Sequence, residues 1–345
     1  MPALIAIDGS HGEGGGQILR TALALSAATG QGFTLSQIRA RRTQSGLRAQ
    51  HVAAVRAAAL ACGAKTGGVF EGSPDLRFEP GVVEPGEFRF EIATAGAASL
   101  VLEMLLPALA TGSTRSQVTI TGGTHVPLSP SFDYVARHWS KAIEPLGLHT
   151  AFVLEKAGFQ PRGGGAVRGC VEPWSRPASL RLEERGALLQ VRGVSIEARL
   201  KGDVAQRQRD AAQARLWEMR RLEAEWEVGS VPSASPGSFL LLEVAYEKGR
   251  GAFGYLGQRG VRPEQLGDRA ARRLLRFLEE PGAVDPFLAD QLVAPLALAR
   301  GGGVVATPEV TGHLETAAHV VGLFGISARV EGRRGLPGVV EVGSH

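Results

Sequence analysis

Asp8-Gly9-Ser10-His11-Gly12-Glu13-Gly14-Gly15-Gly16-Gln17-Ile18-Leu19-Arg20 carries a strand into a glycine turn and the turn into a helix. Glycines let backbone N–H groups approach an anion, a helix N-terminus adds partial positive charge, and Arg20 can clamp phosphate oxygens. A glycine-rich turn alone is usually only a turn, so its surroundings decide the reading. Between residues 14 and 70 the chain has no Asp or Glu, while Arg20, Arg39, Arg41, Arg42, Arg48, Arg56 and Lys65 are all basic. Residues 38–51 hold four Arg together with amide, hydroxyl and imidazole donors, an inventory that suits several phosphates of a polynucleotide. Part of this is background, because Arg outnumbers Lys 33 to 5 over the chain.

With 345 residues, 44% of them hydrophobic, the chain can bury a large core in one big domain or two. A net charge of +4 permits a nucleic-acid partner without requiring one. Cys62 and Cys170 form no CxxC, and the N-terminus is not signal-like, which predicts a reducing cytoplasm without a structural disulfide or thiolate metal site. No apolar run approaches the roughly 20 residues that cross a bilayer, so membrane roles are not expected.

The pattern helix, strand, helix, paired strands recurs three times. The first copy reads as helices at 16–28 and 47–62, a strand at 34–39, and strands near Val69 and at 88–92. The second has helices at 97–110 and 132–146 and strands at 117–121, 150–154 and 166–171. The third comes after a gap, with helices at 288–298 and 313–324 and strands at 303–306, 327–330 and 339–342. Pro-Ala-Leu-Ala-Thr-Gly at 107–112 and Pro-Leu-Ala-Leu-Ala-Arg-Gly at 295–301 close equivalent helices. Between about 184 and 279 charge becomes dense, with strands and two helices of its own, and the segment reads as an inserted domain. Its charged stretch 215–227 reads as a solvated surface, and residues 229–237, rich in Ser and Pro, as a mobile loop.

No P-loop, zinc spacing or GxSxG is present, so attention passes to histidine. Thr307-Pro308-Glu309-Val310-Thr311-Gly312 is a turn and cap sequence that puts His313 near a helix N-terminus, where the dipole disfavours imidazolium and leaves a neutral nucleophilic nitrogen. The repeat aligns its helix with the one bearing Arg48, Gln50 and His51, so the two sites are expected to converge on one cleft, with His51 as a phosphate ligand. His125, His138, His149 and His319 have no comparable setting, and His345 is terminal. In Phe287-Leu288-Ala289-Asp290-Gln291, Phe287 shares a helix face with Asp290, so the ring can stack on a base beside hydrogen-bonding groups; an aromatic core residue is the plainer alternative.

Together these residues resemble the RNA 3'-terminal phosphate cyclase family over nearly the whole chain. The resemblance rests on Asp8 to Arg20 as quoted, Gly158-Phe159-Gln160-Pro161-Arg162-Gly163-Gly164-Gly165, Leu288-Ala289-Asp290-Gln291 and Thr311-Gly312-His313. It implies an α+β fold: three repeats of a two-helix, four-stranded-sheet unit (residues 1–183 and 280–345) with a small thioredoxin-like α/β domain (184–279) inserted before the third repeat. It implies ATP-dependent conversion of an RNA 3'-terminal phosphate to a 2',3'-cyclic phosphate, with His313 taking AMP from ATP and passing it to the RNA. Glu13 is the implied carboxylate for a divalent ion, Mg²⁺ or Mn²⁺. Pro130 and Phe287 look like an adenine sandwich, Leu288, Ala289, Asp290 and Gln291 like nucleoside contacts, and Arg20, Arg39, Arg42, Gln50 and His51 like phosphate and RNA ligands.

The sequence departs from the family pattern at Glu103, where a Gln near the nucleotide is usual, and at Ala157, where a basic residue is usual. Two rivals come from other classes. A noncatalytic RNA-binding or ribosome-assembly paralogue is expected to lack His313, and an enolpyruvate-type transferase would not need an adenine-binding set.

Overall fold

The computed structural model describes residues 3–92, 95–174 and 178–343; His345 lies outside them. The chain opens with β1 (Ile5–Asp8), α1 (Gly16–Thr29), β2 (Phe33–Ser36), α2 (Ala49–Cys62), β3 (Lys65–Gly67) and β4 (Leu76–Glu79). It continues with β5 (Glu87–Glu91), α3 (Ala98–Leu109), β6 (Ser116–Gly122), a wide helical turn Tyr134–Trp139 that runs into α4 (Ser140–Ile143), β7 (Thr150–Lys156) and β8 (Gly165–Val171). The two resulting sheets have the same order, β1-β2-β4-β3 and β5-β6-β8-β7. In each, the first pair is parallel and the other two are antiparallel.

A third sheet repeats this order from distant parts of the chain. Its first strand, β9 (Leu180–Leu182), is followed by β10 (Leu188–Ala198), α5 (Val204–Arg220), β11 (Glu225–Ser230), β12 (Gly237–Tyr246), β13 (Arg250–Leu256) and α6 (Pro263–Glu279). Only then come α7 (Pro286–Leu298), β14 (Gly303–Thr307), α8 (Gly312–Leu323), β15 (Ala328–Gly332) and β16 (Gly338–Val342). The sheet runs β15-β16-β14-β9, with β9 parallel to β14.

Two expectations change. Phe88 to Ile92 does not complete the first sheet: β5 opens the second, and β4 takes the place expected for it. The 184–279 segment does not precede the third copy either, because Leu182 pairs with Val305 and the segment therefore falls between that sheet's first strand and its first helix. Each unit starts with a short parallel strand, and three residues in β9 are too few to show a period.

Helix α1 lies at the centre. It starts where the glycine turn ends and stops at Gly30, whose φ of 74° suits glycine and whose N–H returns to Ser26 O at 3.0 Å. Its residues Ile18, Leu19, Ala22, Leu23 and Leu25 are almost wholly buried, and it packs against α2, α3, α7 and α8. A helix apolar on nearly every face belongs inside.

Residues 184–279 form their own sheet, β11-β10-β12-β13, over a second apolar cluster that includes Leu216, Leu240, Leu242, Phe253, Leu274 and Phe277. The dense charge joins its two helices, through Arg207–Glu264 at 2.7 Å and Arg215–Asp268 at 2.6 Å. The stretch expected to be a mobile loop is held instead. Gly229 and Ser230 end β11, Ala157 N–H donates to Pro232 O at 2.8 Å, and Ser235 is buried. Arg185 fastens the entry of the segment to its exit, donating to Phe277 O and Gly282 O at 2.6 Å each while its guanidinium lies 3.9 Å from the centre of the Phe277 ring.

Leu23→Ala should cost about 2–5 kcal/mol, the range for emptying a core leucine site. The loss is read as a lower urea midpoint at unchanged slope; an unchanged midpoint would deny α1 its central place.

Candidate active site

The starts of α7 and α8, the first turns of α1 and the middle of α3 surround a cavity of about 490 Å³. The loop after β6 and strand β13 wall its other sides, through His125 to Ser131 and through Ala252, Gly254 and Leu256. Arg20, Glu103, Pro130, Phe287, Asp290, Gln291 and His313, far apart in sequence, all line it.

His313 is the second residue of α8. Thr311 caps the helix, its Oγ1 accepting from Leu314 N–H at 3.0 Å. The imidazole is half-exposed, with Nε2 3.4 Å from Glu13 Oε2 and Nδ1 buried without a partner. Burial lowers its pKa from the ordinary imidazole value; Glu13 opposes this, and Arg20, Arg42 and Arg334 add to the depression. The ring is therefore neutral at neutral pH. Gly312 lies close against Glu13 and Arg334, and a Cβ there would displace the Glu13 carboxylate and the Arg334 guanidinium. That close approach keeps the glycine turn and α8 together.

One guanidinium faces two carboxyl groups on the opposite side. Arg20 donates to Gln17 Oε1 at 2.9 Å, and burial lowers its pKa against the pull of Glu103 and Asp290. Burial pushes Glu103 up to about 8 and Asp290 well above the usual carboxylate range, with Arg20 opposing both shifts. Glu103 Oε1, Gln291 Oε1 and His313 Nδ1 are buried without partners. Buried polar atoms are nearly always paired, so three such atoms on residues lining one cavity mark a place that a polar ligand completes. At the same cavity the Phe287 ring is 55% exposed, and Pro130 is fixed by Ser99 Oγ donating to its carbonyl at 2.6 Å.

Leu288 and Ala289, expected on the nucleoside, are fully buried in the core. The helical period turns 288, 289, 292 and 293 inward, while 287, 290, 291 and 294 line the cavity. Arg39 and His51 line a separate small crevice against Gly9, Gly15 and Gly16. His51 is buried, its Nδ1 accepts from Arg48 N–H at 3.0 Å, and burial together with Arg20, Arg39 and Arg48 pushes its pKa down to about 3. It is a neutral donor packed on Gly16, where a Cβ would come within 2.7 Å of Nε2. Arg42 is exposed near Gly15, and Gln50 lies in the first turn of α2, outside both hollows. The cavity and the crevice adjoin at the start of α1, where Arg20 and His51 both lie against Gly16.

Histidines passed over in the sequence hold the walls in place. His125 is buried, its Nε2 2.8 Å from Asp133 Oδ2 and its Nδ1 2.8 Å from Thr124 Oγ1, with its ring against Phe159 and Phe239. His138 Nε2 lies 2.7 Å from Asp285 Oδ2, and Arg250 Nε donates to its Nδ1 at 3.3 Å. Asp285 also accepts from Phe287 N–H, Leu288 N–H, Tyr134 Oη and Ala252 N–H, at 3.0–3.2 Å. The Asp-Pro start of α7 was the only sequence signal for this junction.

Among the described residues no cluster of three or more His, Cys, Asp or Glu is arranged to hold a metal ion. Glu13 stands as a single carboxylate beside His313.

The RNA 3'-terminal phosphate cyclase family profile matches residues 11–330. An RNA 3'-terminal phosphate cyclase of Ralstonia nicotianae is 42% identical over 89% of this chain and 88% of its own. Those of Thermococcus gammatolerans (42% identical, 98% and 97% covered) and Pseudomonas fluorescens (40% identical, 99% and 98% covered) are similar across both lengths. Among solved structures, the enolpyruvyl transferase NikO from Streptomyces tendae is 12% identical, covers 49% of this chain and 33% of its own, and has a TM-score of 0.27, too low to carry an argument. The fold and the matches define an RNA-processing enzyme. The chain belongs to the RNA 3'-terminal phosphate cyclase family.

Asp285→Ala should destabilise the protein by about 3–5 kcal/mol, because it leaves buried donors on three elements without their acceptor. Chemical denaturation measures the loss; a change below about 0.5 kcal/mol, as at an ordinary surface site, would contradict this role.

Proposed function

We propose that the enzyme converts an RNA 3'-terminal phosphate to a 2',3'-cyclic phosphodiester at the expense of ATP, through adenylated His313. The observation that carries this reading is the half-exposed, neutral imidazole beside Glu13, in a cavity where Glu103 Oε1 and Gln291 Oε1 are also buried without partners. Nδ1 is buried, which leaves Nε2 to attack the α-phosphorus of ATP. The bond to the β-phosphate oxygen breaks and pyrophosphate leaves. An oxygen of the RNA 3'-phosphate then attacks the same phosphorus, the P–N bond breaks, and His313 is restored. Finally the 2'-OH attacks the 3'-phosphorus, AMP departs, and the hydroxyl proton goes to solvent. Covalent catalysis divides one hard displacement into easier ones, since phosphate oxygen is a poor leaving group and AMP a good one.

Phe287 and Pro130 suit the two faces of adenine, and Arg20, Asp290 and Gln291 suit the polar parts of the nucleotide. Glu13 with the triphosphate oxygens would hold Mg²⁺ or Mn²⁺, which commonly takes one or two carboxylates plus phosphate; the ion would neutralise those oxygens. Arg39, Arg42 and Gln50 are assigned to the RNA, together with His51. A noncatalytic RNA-binding role would leave His313 and its partners without purpose.

In architecture, we read the three sheets of identical order as one repeated unit. Residues 184–279, a βαβ unit followed by a hairpin and a helix, are a thioredoxin-like insertion inside the third. Cys62 and Cys170, both free and buried, suit a reducing cytoplasm. Among the described residues no helix is long and apolar enough to cross a membrane.

With α-labelled ATP and Mg²⁺, acid-labile label should remain on the wild-type protein and be absent from folded His313→Ala. Label retained at the wild-type level would remove His313 as the nucleophile.

An RNA ending in a 3'-phosphate on 2'-deoxyribose should accept AMP and stop there, because cyclisation needs the 2'-OH. Gel analysis should show the adenylated strand accumulating with no cyclic product. If the ordinary substrate cyclises and the deoxy end never acquires AMP, the order of steps is different.

A further inference from the structure

Glu103 projects from α3 into the cavity, and its Oε1 is buried with no hydrogen-bond partner. The charged groups that face it are Arg20 on α1 and Asp290 on α7. Neither makes an ion pair with it among the described residues, and Arg20 spends its one side-chain hydrogen bond on Gln17. Three further titratable groups line the cavity, His125, Tyr134 and His313. Burial raises Tyr134 well above its ordinary value and lowers His313, so both are neutral around pH 7 to 9. Glu103 is partly buried, and a carboxylate with one oxygen buried and neither donor nor paired cation for it is a costly arrangement. The neutral acid is not, and it offers an O–H donor as well as an acceptor.

The same conclusion follows from the ligand. A nucleotide whose phosphates approach Arg20 brings negative charge toward Glu103. An ionised Glu103 would repel it; the acid would donate to it.

We propose that Glu103 binds the nucleotide as the protonated acid, donating its carboxyl O–H to an oxygen of ATP, and that its ionisation weakens binding. This rests on the ATP reading above and adds to it the protonation state and the sense of the hydrogen bond. It also gives a physical meaning to a carboxyl group standing where a carboxamide is usual: in the acid form each pairs a donor group with a carbonyl acceptor. The carboxamide keeps its donor at every pH, whereas the acid loses it on titration. Affinity is therefore full below the titration of Glu103 and falls above it.

The test is the Kd of ATP in Mg²⁺, measured by calorimetry from pH 7 to 9.5, with circular dichroism to show that the fold persists. ATP itself is fully ionised over this range. Because burial pushes Glu103 up to about 8, the wild-type Kd should rise toward about tenfold per pH unit above that point. Glu103→Gln should give a Kd that does not change with pH. Glu103→Ala, lacking any donor, should bind about tenfold more weakly at pH 7, and Glu103→Gln should recover that loss.

A wild-type Kd that is tight and flat across the range overturns the role of Glu103 and leaves the ATP site standing. Absence of ATP binding at every pH overturns both. A slope that persists in Glu103→Gln and vanishes in Asp290→Asn transfers the role to Asp290. Weak binding in Glu103→Gln that recovers only with added Mg²⁺ would make Glu103 an ionised metal ligand, and the proposal would fall.

Discussion

The buried carboxylate of Asp285 ties three parts of the molecule to one point. It caps α7 through Phe287 and Leu288 N–H, receives Tyr134 and His138 from the helical turn after β6, and takes Ala252 N–H from β13. Burial without these donors would be prohibitive, and with them the carboxylate allows little freedom in how the elements meet. Cap, helical turn and strand therefore move together or not at all. Since α7 presents Phe287, Asp290 and Gln291, and β13 walls the opposite side, the shape of the cavity depends on this one side chain.

Within that frame the cavity is electrostatically unfinished. Arg20 is one positive group set near Glu103 and Asp290, and it satisfies neither with an ion pair. A protein optimised only for stability would pair such groups or replace them with apolar ones. Leaving them open costs stability locally and keeps donors and acceptors available, a cost that the large shared core around α1 can absorb.

Much of this was legible in the sequence because it follows period and punctuation. The helices at 16–29, 49–62, 98–109 and 312–323 lie within two residues of the positions their apolar spacing predicts. The Thr311-Gly312-His313 cap was readable for the same local reason. The misreadings come from information held elsewhere in the fold. Leu180–Leu182 is a strand only because Gly303–Thr307 lies beside it. Leu288 and Ala289 look like their neighbours 290 and 291 until the helix is packed and they turn inward. His125 and His138 have ordinary flanking residues; their partners, Asp133 and Asp285, lie 8 and 147 positions away. A sequence shows which groups can make a hydrogen bond, but not which carboxylate will be buried beside them.

The position of the 184–279 segment also bears on the order of assembly. β9 must find β14 more than a hundred residues later, and a flexible loop of that length resists closure, with each halving of its effective length lowering the cost by about 0.6 kcal/mol. Arg185 changes the problem by clipping the entry of the segment to its exit through Phe277 O and Gly282 O. Once the segment has folded on its own apolar cluster, Arg185 and Gly282 are held together and the remaining search is short. On a ribosome this favours a sequence of events: the first two sheets form, then the inserted segment, and only the last sixty or so residues close the third sheet and deliver α7 and α8. The cavity is therefore walled last by α7 and α8, and the His313 imidazole reaches its place beside Glu13 only after the inserted segment has folded.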